Sequence, residues 1–285
     1  MKKNLLMILM LFIIIGCQPS SSQKKEKVIK EKPVVNIQGK TLQTCVDTPK
    51  GYTRKKVKNN TFESFLRNYK LKKYGEPVLL YDGTKKSNQN AHIAVFKLPI
   101  ENEDLQQCAD SVIRIYAEYF YKTKQYSKIS FQFVDGFKAD YQKWLNGYRI
   151  KMNGNSFQWV KTKQYDTSYQ SFQKYLRIVF AYASTLSLKE ESKKIDKSKI
   201  QVGDIFIKAG SPGHVVMIVD MCQNKDNKKA YLLAQGYMPA QEFHLLKNNL
   251  HESDPWYYED EITNSFDTPE YTFSKDDLRH LKYND

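Results

Sequence analysis

One histidine in this sequence stands where a side chain can do acid–base chemistry. His214 follows Gly213 and opens an apolar run that continues to Met221, which predicts a strand buried on both faces. A histidine at the first position of such a strand lies at the rim of the sheet, where its ring can face a cleft. Imidazole is suited to general acid–base catalysis at neutral pH. The alternative role for His214 is structural, as a rim residue that completes a hydrogen bond of the turn.

The strand that returns from this run carries a polar side chain that could orient the imidazole. If the hairpin turns symmetrically about Lys225 and Asp226, Val216 faces Gln235. Gln235 then lies diagonally across from His214 on the same face of the sheet. An amide at that position can hold the ring, as the third member of a triad does. A register slip of one residue would move Gln235 to the other face.

Two predicted strands begin with glycine-containing dipeptides that resemble motifs of a known enzyme family. Gly203-Asp204 begins one predicted strand, and Gly213-His214 begins the next after a tight turn. This arrangement resembles the second half of NlpC-type, papain-like cysteine peptidases, in which the Gly-His strand carries the catalytic base. The resemblance implies a papain-like α+β fold and hydrolysis of an amide bond in wall peptide or a related envelope substrate.

In the family, the nucleophile is a cysteine at the N-terminus of a helix packed on the sheet, where the helix dipole and the histidine lower the thiol pKa. Cys108 fits that setting, because a helix is predicted from about Asp104 to Lys124. The resemblance then implies that Cys108 attacks, that His214 acts as general base and then acid, and that Gln235 orients the ring. The backbone N–H of Cys108 would serve the oxyanion.

Two observations support a non-catalytic reading instead. Cys108 falls on the apolar stripe of its helix, and a buried thiol is commonly an inert small hydrophobe. In addition, Asp166-Thr167-Ser168 resembles the Asp-Cys-Ser start of the nucleophile helix in compact NlpC enzymes, with Thr167 in place of the cysteine. If that alignment holds, the domain is a binding module that uses the same cleft.

A longer stretch of the chain resembles another family, but that resemblance implies no mechanism. From about Thr61 to Tyr258 the chain is similar to a bacterial lipoprotein family known only as a domain of unknown function. The segments that carry this similarity are Leu105-Gln106-Gln107-Cys108-Ala109-Asp110, Ser211-Pro212-Gly213-His214, Leu232-Leu233-Ala234-Gln235 and Met238-Pro239-Ala240-Gln241.

The N-terminus predicts export and lipid anchoring. A short positive region precedes the apolar run Leu5–Ile15, which is too short to span a bilayer but has the length of a signal-peptide core. Gly16-Cys17 then resembles the bacterial lipobox, which implies that residues 1–16 are removed and that Cys17 carries diacyl lipid. Residues 17–45 are predicted to be a basic tether, and the protein to face the periplasm or exterior on a cell or outer membrane.

The charge balance fits that location. The 285 residues include 45 Lys and Arg against 31 Asp and Glu, a formal net charge of +14. Because an exported lipoprotein does not meet the chromosome, the predicted partners are the lipid bilayer and an anionic envelope polymer such as peptidoglycan, and no nucleic acid. No motif for a phosphate loop, calcium loop or zinc helix is present, so no cofactor or metal is predicted.

The remaining cysteines and the element order predict one domain. Cys45, Cys108 and Cys222 are an odd set, and a bridge, if one forms, is expected between Cys45 and Cys222. Residues 46–285 contain no internal linker and are predicted to be a single α+β domain, with helices first and an antiparallel sheet last. Further elements are predicted as a strand at 78–81 paired with 92–96, strands at 204–208, 231–235 and 242–246, a helix at 169–183, and a helix after Ser274.

Overall fold

A large antiparallel sheet is the centre of the fold. The structure is a computed structural model that describes residues 34–154 and 156–284, and these residues belong to one compact unit. The α-helices are α1 (Leu42–Cys45), α2 (Phe62–Arg67), α3 (Cys108–Lys122), α4 (Tyr141–Leu145), α5 (Tyr169–Tyr182) and α6 (Thr185–Glu190). Short 3-10 helices lie at Gln89–Ala91, Tyr126–Lys128, Lys197–Lys199, Glu259–Glu261, Lys275–Asp277 and Lys282–Asn284.

The strands are distributed along the whole described chain. They are β1 (Tyr52–Thr53), β2 (His92–Val95), β3 (Ser130–Gln132), β4 (Lys138–Asp140), β5 (Tyr148–Asn153), β6 (Ser156–Lys161), β7 (Ser192–Lys194), β8 (Ile205–Lys208), β9 (His214–Asn224), β10 (Lys229–Gln235), β11 (His244–Leu246), β12 (Tyr257–Tyr258), β13 (Phe266–Asp267), β14 (Thr272–Phe273) and β15 (Leu278–Leu281). Nine of them form the main sheet, in the order β2-β11-β10-β9-β8-β15-β7, with β1 added to β9 and β12 to β10. The described chain is therefore a mixed α and β fold with few helices and a large antiparallel sheet. The antiparallel sheet was predicted, but the order of helices first and sheet last was not correct, since β1 and β2 of the main sheet precede α3.

Strand β9 is apolar throughout because both of its faces are covered. Val215 and Met217 face the larger core, to which α3 and α5 contribute. Val216 and Ile218 face a second core on the other side of the sheet. All four side chains are fully buried, which explains why the sequence of this strand does not alternate between apolar and polar residues.

The folded part of the chain starts earlier than the predicted boundary at residue 46. Val35 forms a β-bridge with Val46, and Leu42 and Cys45 of α1 are buried in the larger core. The range 17–45 is therefore not all tether, because its last part carries apolar side chains that pack. Residues 1–33, with the signal-peptide and lipidation predictions for Leu5–Ile15 and Cys17, lie outside the described residues. No helix among the residues described is long and apolar enough to cross a membrane.

Three local predictions differ from the structure. Residues 78–81 form only isolated bridges, from Leu79 to Lys85 and from Leu80 to Gln241, and β2 pairs with β11 instead. The Ser274 cap opens a single 3-10 turn, because strand β15 begins directly after it and pairs with β7 and β8. Cys45 and Cys222 are free, buried thiols, so the bridge considered between them is not formed.

Candidate functional site

Helix α3 begins at Cys108, four residues later than the sequence predicts. Asp110 at the third helical position accepts a hydrogen bond from the Gln107 backbone N–H at 3.1 Å, which closes the first turn. The preceding Asp104 is not helical, and its carboxylate accepts from the Ala240 N–H at 2.6 Å. That contact ties the chain before the helix to the loop that follows β10. Cys108 therefore occupies the first helical position, where backbone N–H groups have no partner within the helix.

The Cys108 sulfur lies beside the first residues of β9. The backbone N–H groups of Ala109 and Val215 are close enough to act to lower the pKa of this thiol, and Val215 directly follows His214 in the chain. These contacts favour a thiolate, but burial is the larger effect and raises the pKa of Cys108 to about 11. Cys108 is thus a neutral thiol at physiological pH in this structure, unlike the low-pKa thiol that the family resemblance implies.

An open cleft leads to the thiol. It has a volume of about 370 Å³, at the lower end of the range for small-ligand sites. The residues that line it are Asp104, Leu105, Gln107, Cys108, Ala109, Asp110, Phe180, Ala181, Ala183, Ser184, Thr185, Gly210, Ser211, Pro212, Gly213 and Met238. Its lining contains two carboxyl groups and no Lys, Arg or His, in contrast to the net charge of +14 of the whole chain.

His214 opens β9 as predicted and is almost fully buried. Its ring lies against Tyr237 and Tyr271, with ring centroids 4.7 Å and 5.1 Å away. Nε2 lies 2.7 Å from Oε1 of Gln235, and the amide oxygen can only accept, so Nε2 carries the proton. Burial lowers the pKa of His214 to about 4. The ring is therefore neutral near pH 7, and Nδ1 is its proton-accepting atom.

The other ring nitrogen of His214 is the unusual feature of the site. Nδ1 is buried, and it has no hydrogen-bond partner among the described residues. It follows that the Cys108 thiol does not donate to Nδ1 in this conformation. Buried polar atoms without partners are rare, and each calls for an explanation. His214 does not line the cleft itself, but it directly follows Gly213, which does. Its unpartnered Nδ1 is therefore a candidate for function next to the cleft.

The predicted neighbour of His214 is present, and a β-bulge sets its register. Near the turn, Tyr231 pairs with Met221, one residue away from the predicted register. A bulge between Leu232 and Leu233 then shifts the pairing, so that Ile218 faces Leu233. This is the register in which Gln235 lies diagonally across from His214.

Thr167 does not lie beside His214. The Tyr121 hydroxyl donates to the Thr167 carbonyl at 2.8 Å, and Ser168 caps the start of α5. Phe180 and Ala181, which line the cleft, lie at the opposite end of this helix. A helix of 14 residues is about 21 Å long, so Thr167 does not take the place of a nucleophile in this cleft.

Asp204 lies outside the cleft. It is fully buried, lies 2.6 Å from Nδ1 of His280 and accepts from the Gln201 N–H at 2.9 Å. Burial raises the pKa of the Asp204 carboxyl to about 6, against the opposing effect of these hydrogen bonds. The contact with His280 joins the start of β8 to strand β15, which is a structural role.

Three residues next to Gln235 were not found by sequence reasoning. Glu270 accepts from Nε2 of Gln235 at 2.7 Å, His244 lies 3.4 Å from the same nitrogen, and Lys86 contacts both oxygens of Glu270 at 2.5 Å. They come from distant parts of the chain and carry no shared local motif. Among the described residues, no group of three or more His, Cys, Asp or Glu is placed to hold a metal ion.

Comparison with known proteins gives one match. The family described as a domain of unknown function (4846) matches residues 42–280, which is most of the described chain. No curated protein and no solved structure matches.

Proposed function

This chain belongs to that family of unknown function, and we propose that it is a cysteine-dependent amide hydrolase. The observation that carries the proposal is the state of His214. Gln235 holds Nε2 at 2.7 Å, while the buried Nδ1 has no partner in the described chain. His214 lies between Gly213, which lines the cleft together with Cys108, and Val215, whose backbone N–H acts to lower the pKa of the Cys108 thiol.

The proposed reaction uses a neutral resting pair. When substrate fills the cleft, the thiol turns toward Nδ1, which takes its proton as the sulfur attacks the carbonyl carbon. The oxyanion that forms accepts from the Cys108 backbone N–H at the start of α3. The Nδ1–H proton then passes to the leaving amine, the C–N bond breaks, and a thioester remains on Cys108. Water, deprotonated by Nδ1, hydrolyses the thioester and restores the thiol.

We propose that the substrate is wall peptide or a related envelope polymer and that Cys17 anchors the protein in a bilayer. The lipobox-like Gly16-Cys17 and the apolar run before it support the anchor. Mass spectrometry of the N-terminal peptide should find Cys17 diacylated, consistent with firm attachment by more than one chain. A Cys17→Ser protein should leave the membrane fraction, and its retention there would contradict the proposal.

Digestion of purified wall tests the hydrolase directly. Wild type should release peptide fragments, and Cys108→Ala should release none. Cys45→Ala is the matched control, because Cys45 is also a buried free thiol but does not line the cleft. Equal digestion by wild type and Cys108→Ala would contradict the proposal.

One observation favours a second candidate, a non-catalytic binding module. Cys108 is only 4% exposed and is neutral, since burial raises its pKa to about 11. In that case wall fragments should bind in the cleft without being cleaved, and Cys108→Ala should bind them as wild type does. Calorimetry with soluble wall fragments, beside the digestion, separates the two functions.

A further inference from the structure

The side-chain amide of Gln235 has polar partners on both sides, and they leave it one favourable orientation. Its oxygen Oε1 lies 2.7 Å from Nε2 of His214. Its nitrogen Nε2 donates to Oε2 of Glu270 at 2.7 Å and lies 3.4 Å from Nε2 of His244. Gln235 itself is fully buried, so water does not compete for these contacts.

Both partners of the amide nitrogen are acceptors. Nδ1 of His244 lies 2.8 Å from the Glu242 carbonyl oxygen, which can only accept, so Nδ1 carries the proton. Burial lowers the pKa of His244 to about 3, so this ring is neutral and its Nε2 has a free lone pair. A flipped Gln235 amide would place its oxygen against this lone pair and against Glu270. Two repulsive contacts therefore oppose the flip.

Lys86 holds the Glu270 carboxylate in place. Its ammonium lies 2.5 Å from each oxygen of Glu270, and the Lys86 side chain is only 5% exposed. Asn88 adds a hydrogen bond to Oε1 at 3.2 Å. The carboxylate is thus held by a positive partner on one side and presents Oε2 to Gln235 on the other.

The orientation of Gln235 determines which nitrogen of His214 is the base. With Oε1 facing the ring, His214 must carry its proton on Nε2, and Nδ1 keeps the lone pair. With the amide flipped, an N–H would face Nε2, the proton would move to Nδ1, and Nδ1 would no longer be available as a base. We propose that Glu270, held by Lys86 and assisted by His244, is a positioning residue that fixes His214 in its Nε2–H tautomer.

The tautomer can be measured without an activity assay. The chain has five histidines, so nitrogen-15 labelling of histidine with long-range proton–nitrogen correlation can be assigned by single variants. In wild type at pH 7, His214 should show a pyrrole-type Nε2 and a pyridine-type Nδ1. In Glu270→Ala a substantial fraction of molecules should show the reverse pattern, with a pyrrole-type Nδ1 and a pyridine-type Nε2. The reason is that the Gln235 amide loses its charged acceptor.

The matched control is Glu261→Ala. Like Glu270, Glu261 accepts from a side-chain amide, that of Asn248 at 2.9 Å, and pairs with a basic side chain, His251 at 2.5 Å. Glu261 does not contact Gln235, so its loss should leave the His214 tautomer unchanged. If Glu270→Ala does not fold, a variant of similar volume is needed. Glu270→Gln could still accept from both Lys86 and Gln235 through one oxygen, so Glu270→Met, which has a similar volume and no acceptor oxygen, is the second variant and should shift the tautomer as well.

The use of the Nε2–H tautomer in catalysis rests on the proposed hydrolase function, but the tautomer itself does not. The positioning role of Glu270 and the hydrolase function can therefore fail separately. If wild type digests wall, Glu270→Ala should slow digestion by about 10²- to 10⁴-fold, the scale of a wrong histidine tautomer in a catalytic triad. If wild type digests nothing, the proposed function fails while the tautomer shift still tests the inference. A folded Glu270→Ala, or a folded Glu270→Met where the alanine variant does not fold, that keeps the wild-type nitrogen pattern would overturn it.

Discussion

Strand β9 carries buried polar groups near both ends, and the two ends differ in how well those groups are paired. Near the C-terminal end, Asp220 accepts from Arg54 at 2.6 Å and from Arg67 at 2.8 Å. The two guanidinium groups also donate to backbone carbonyls, including that of Val46. These contacts join the N-terminal segment and α2 to the sheet.

At the N-terminal end of β9, the polar groups are paired on one side only. Gln235 satisfies Nε2 of His214, whereas Nδ1 has no partner in the described part of the chain. In the network of Asp220 every charge has a partner, because Glu63 also pairs with Arg67 at 2.6 Å, and removal of one member is therefore costly. An open group beside a cleft is retained at a cost in stability, which is typical of a functional site. The difference therefore indicates a structural role for the Asp220 end of β9 and makes the His214 end the candidate for the proposed chemistry.

We call the His214 end of β9 the open end and the Asp220 end the closed end. The largest expected effect is a loss of activity at the open end. His214→Gln should reduce wall digestion by about 10³-fold or more, the usual scale for loss of a catalytic base. The amide of the variant can still donate to Gln235, so the free energy of unfolding should fall by no more than about 1.5 kcal/mol. Digestion assays and denaturant unfolding on the same samples check both values. A variant that unfolds outright would instead assign a structural role to His214.

The next effect is on stability, at the closed end. Asp220→Asn leaves the buried Arg67 and the half-buried Arg54 without the Asp220 carboxylate, which should cost about 3–5 kcal/mol of unfolding free energy. Asp226→Asn, in the exposed turn of the same hairpin, is the control and should stay within about 0.5 kcal/mol of wild type. Denaturant titration measures both. A small loss for Asp220→Asn would remove the distinction between the two ends of β9.

A third effect is the pH dependence of stability at the open end. Burial lowers the pKa of His214 to about 4 in the folded protein, below its usual value near 6.5 in an unfolded chain. The unfolded state therefore binds more protons between these values, and stability falls as the pH drops from about 6.5 to 4. Wild type should lose about 2–3 kcal/mol more than His214→Gln across this window. Parallel pH dependences of the two proteins would show that His214 does not carry this titration.

Much of the open end was accessible from sequence, because its signals are local. The unbroken apolar run after His214 predicts a strand covered on both sides, and both cores are present. The position of Gln235 was reached through a register that is wrong near the turn. It agrees with the structure at Leu233 only because a bulge, which sequence does not reveal, shifts the pairing by one residue.

Features that depend on the packing of distant segments could not be predicted. Glu270 and Lys86 meet at Gln235 only after the sheet has formed, and neither stands in a recognisable motif. The start of α3 depends on the contact between Asp104 and the backbone of Ala240, which is a tertiary interaction. The family resemblance implied a low thiol pKa, set by the helix dipole and the histidine, whereas burial dominates the pKa of Cys108 and raises it.

The smallest expected effect concerns Asp110, which lines the cleft and, like His214, has a buried polar atom without a partner in the described chain. Its Oδ2 accepts from the Gln107 N–H at 3.1 Å, but its buried Oδ1 has no partner among the residues that the structure describes. Burial raises the pKa of Asp110 well above its usual value, so the folded state favours the protonated form. Its contribution to stability is therefore greatest at low pH and is lost as the pH rises above about 4.

Asp110→Asn should thus stabilise the protein at pH 7, by about 0.5–1 kcal/mol, since the amide keeps an oxygen for Gln107 without a buried charge. A carboxylate at the start of α3 also interacts favourably with the helix, by about 0.3–1 kcal/mol, and this effect favours Asp110. The desolvation cost of the Asp110 carboxylate should be larger, because the side chain is only 5% exposed. The difference between variant and wild type should shrink toward pH 4, where both side chains are neutral. Denaturant unfolding at the two pH values measures it, and a variant less stable at pH 7 would place Asp110 with the paired, structural groups of the Asp220 end.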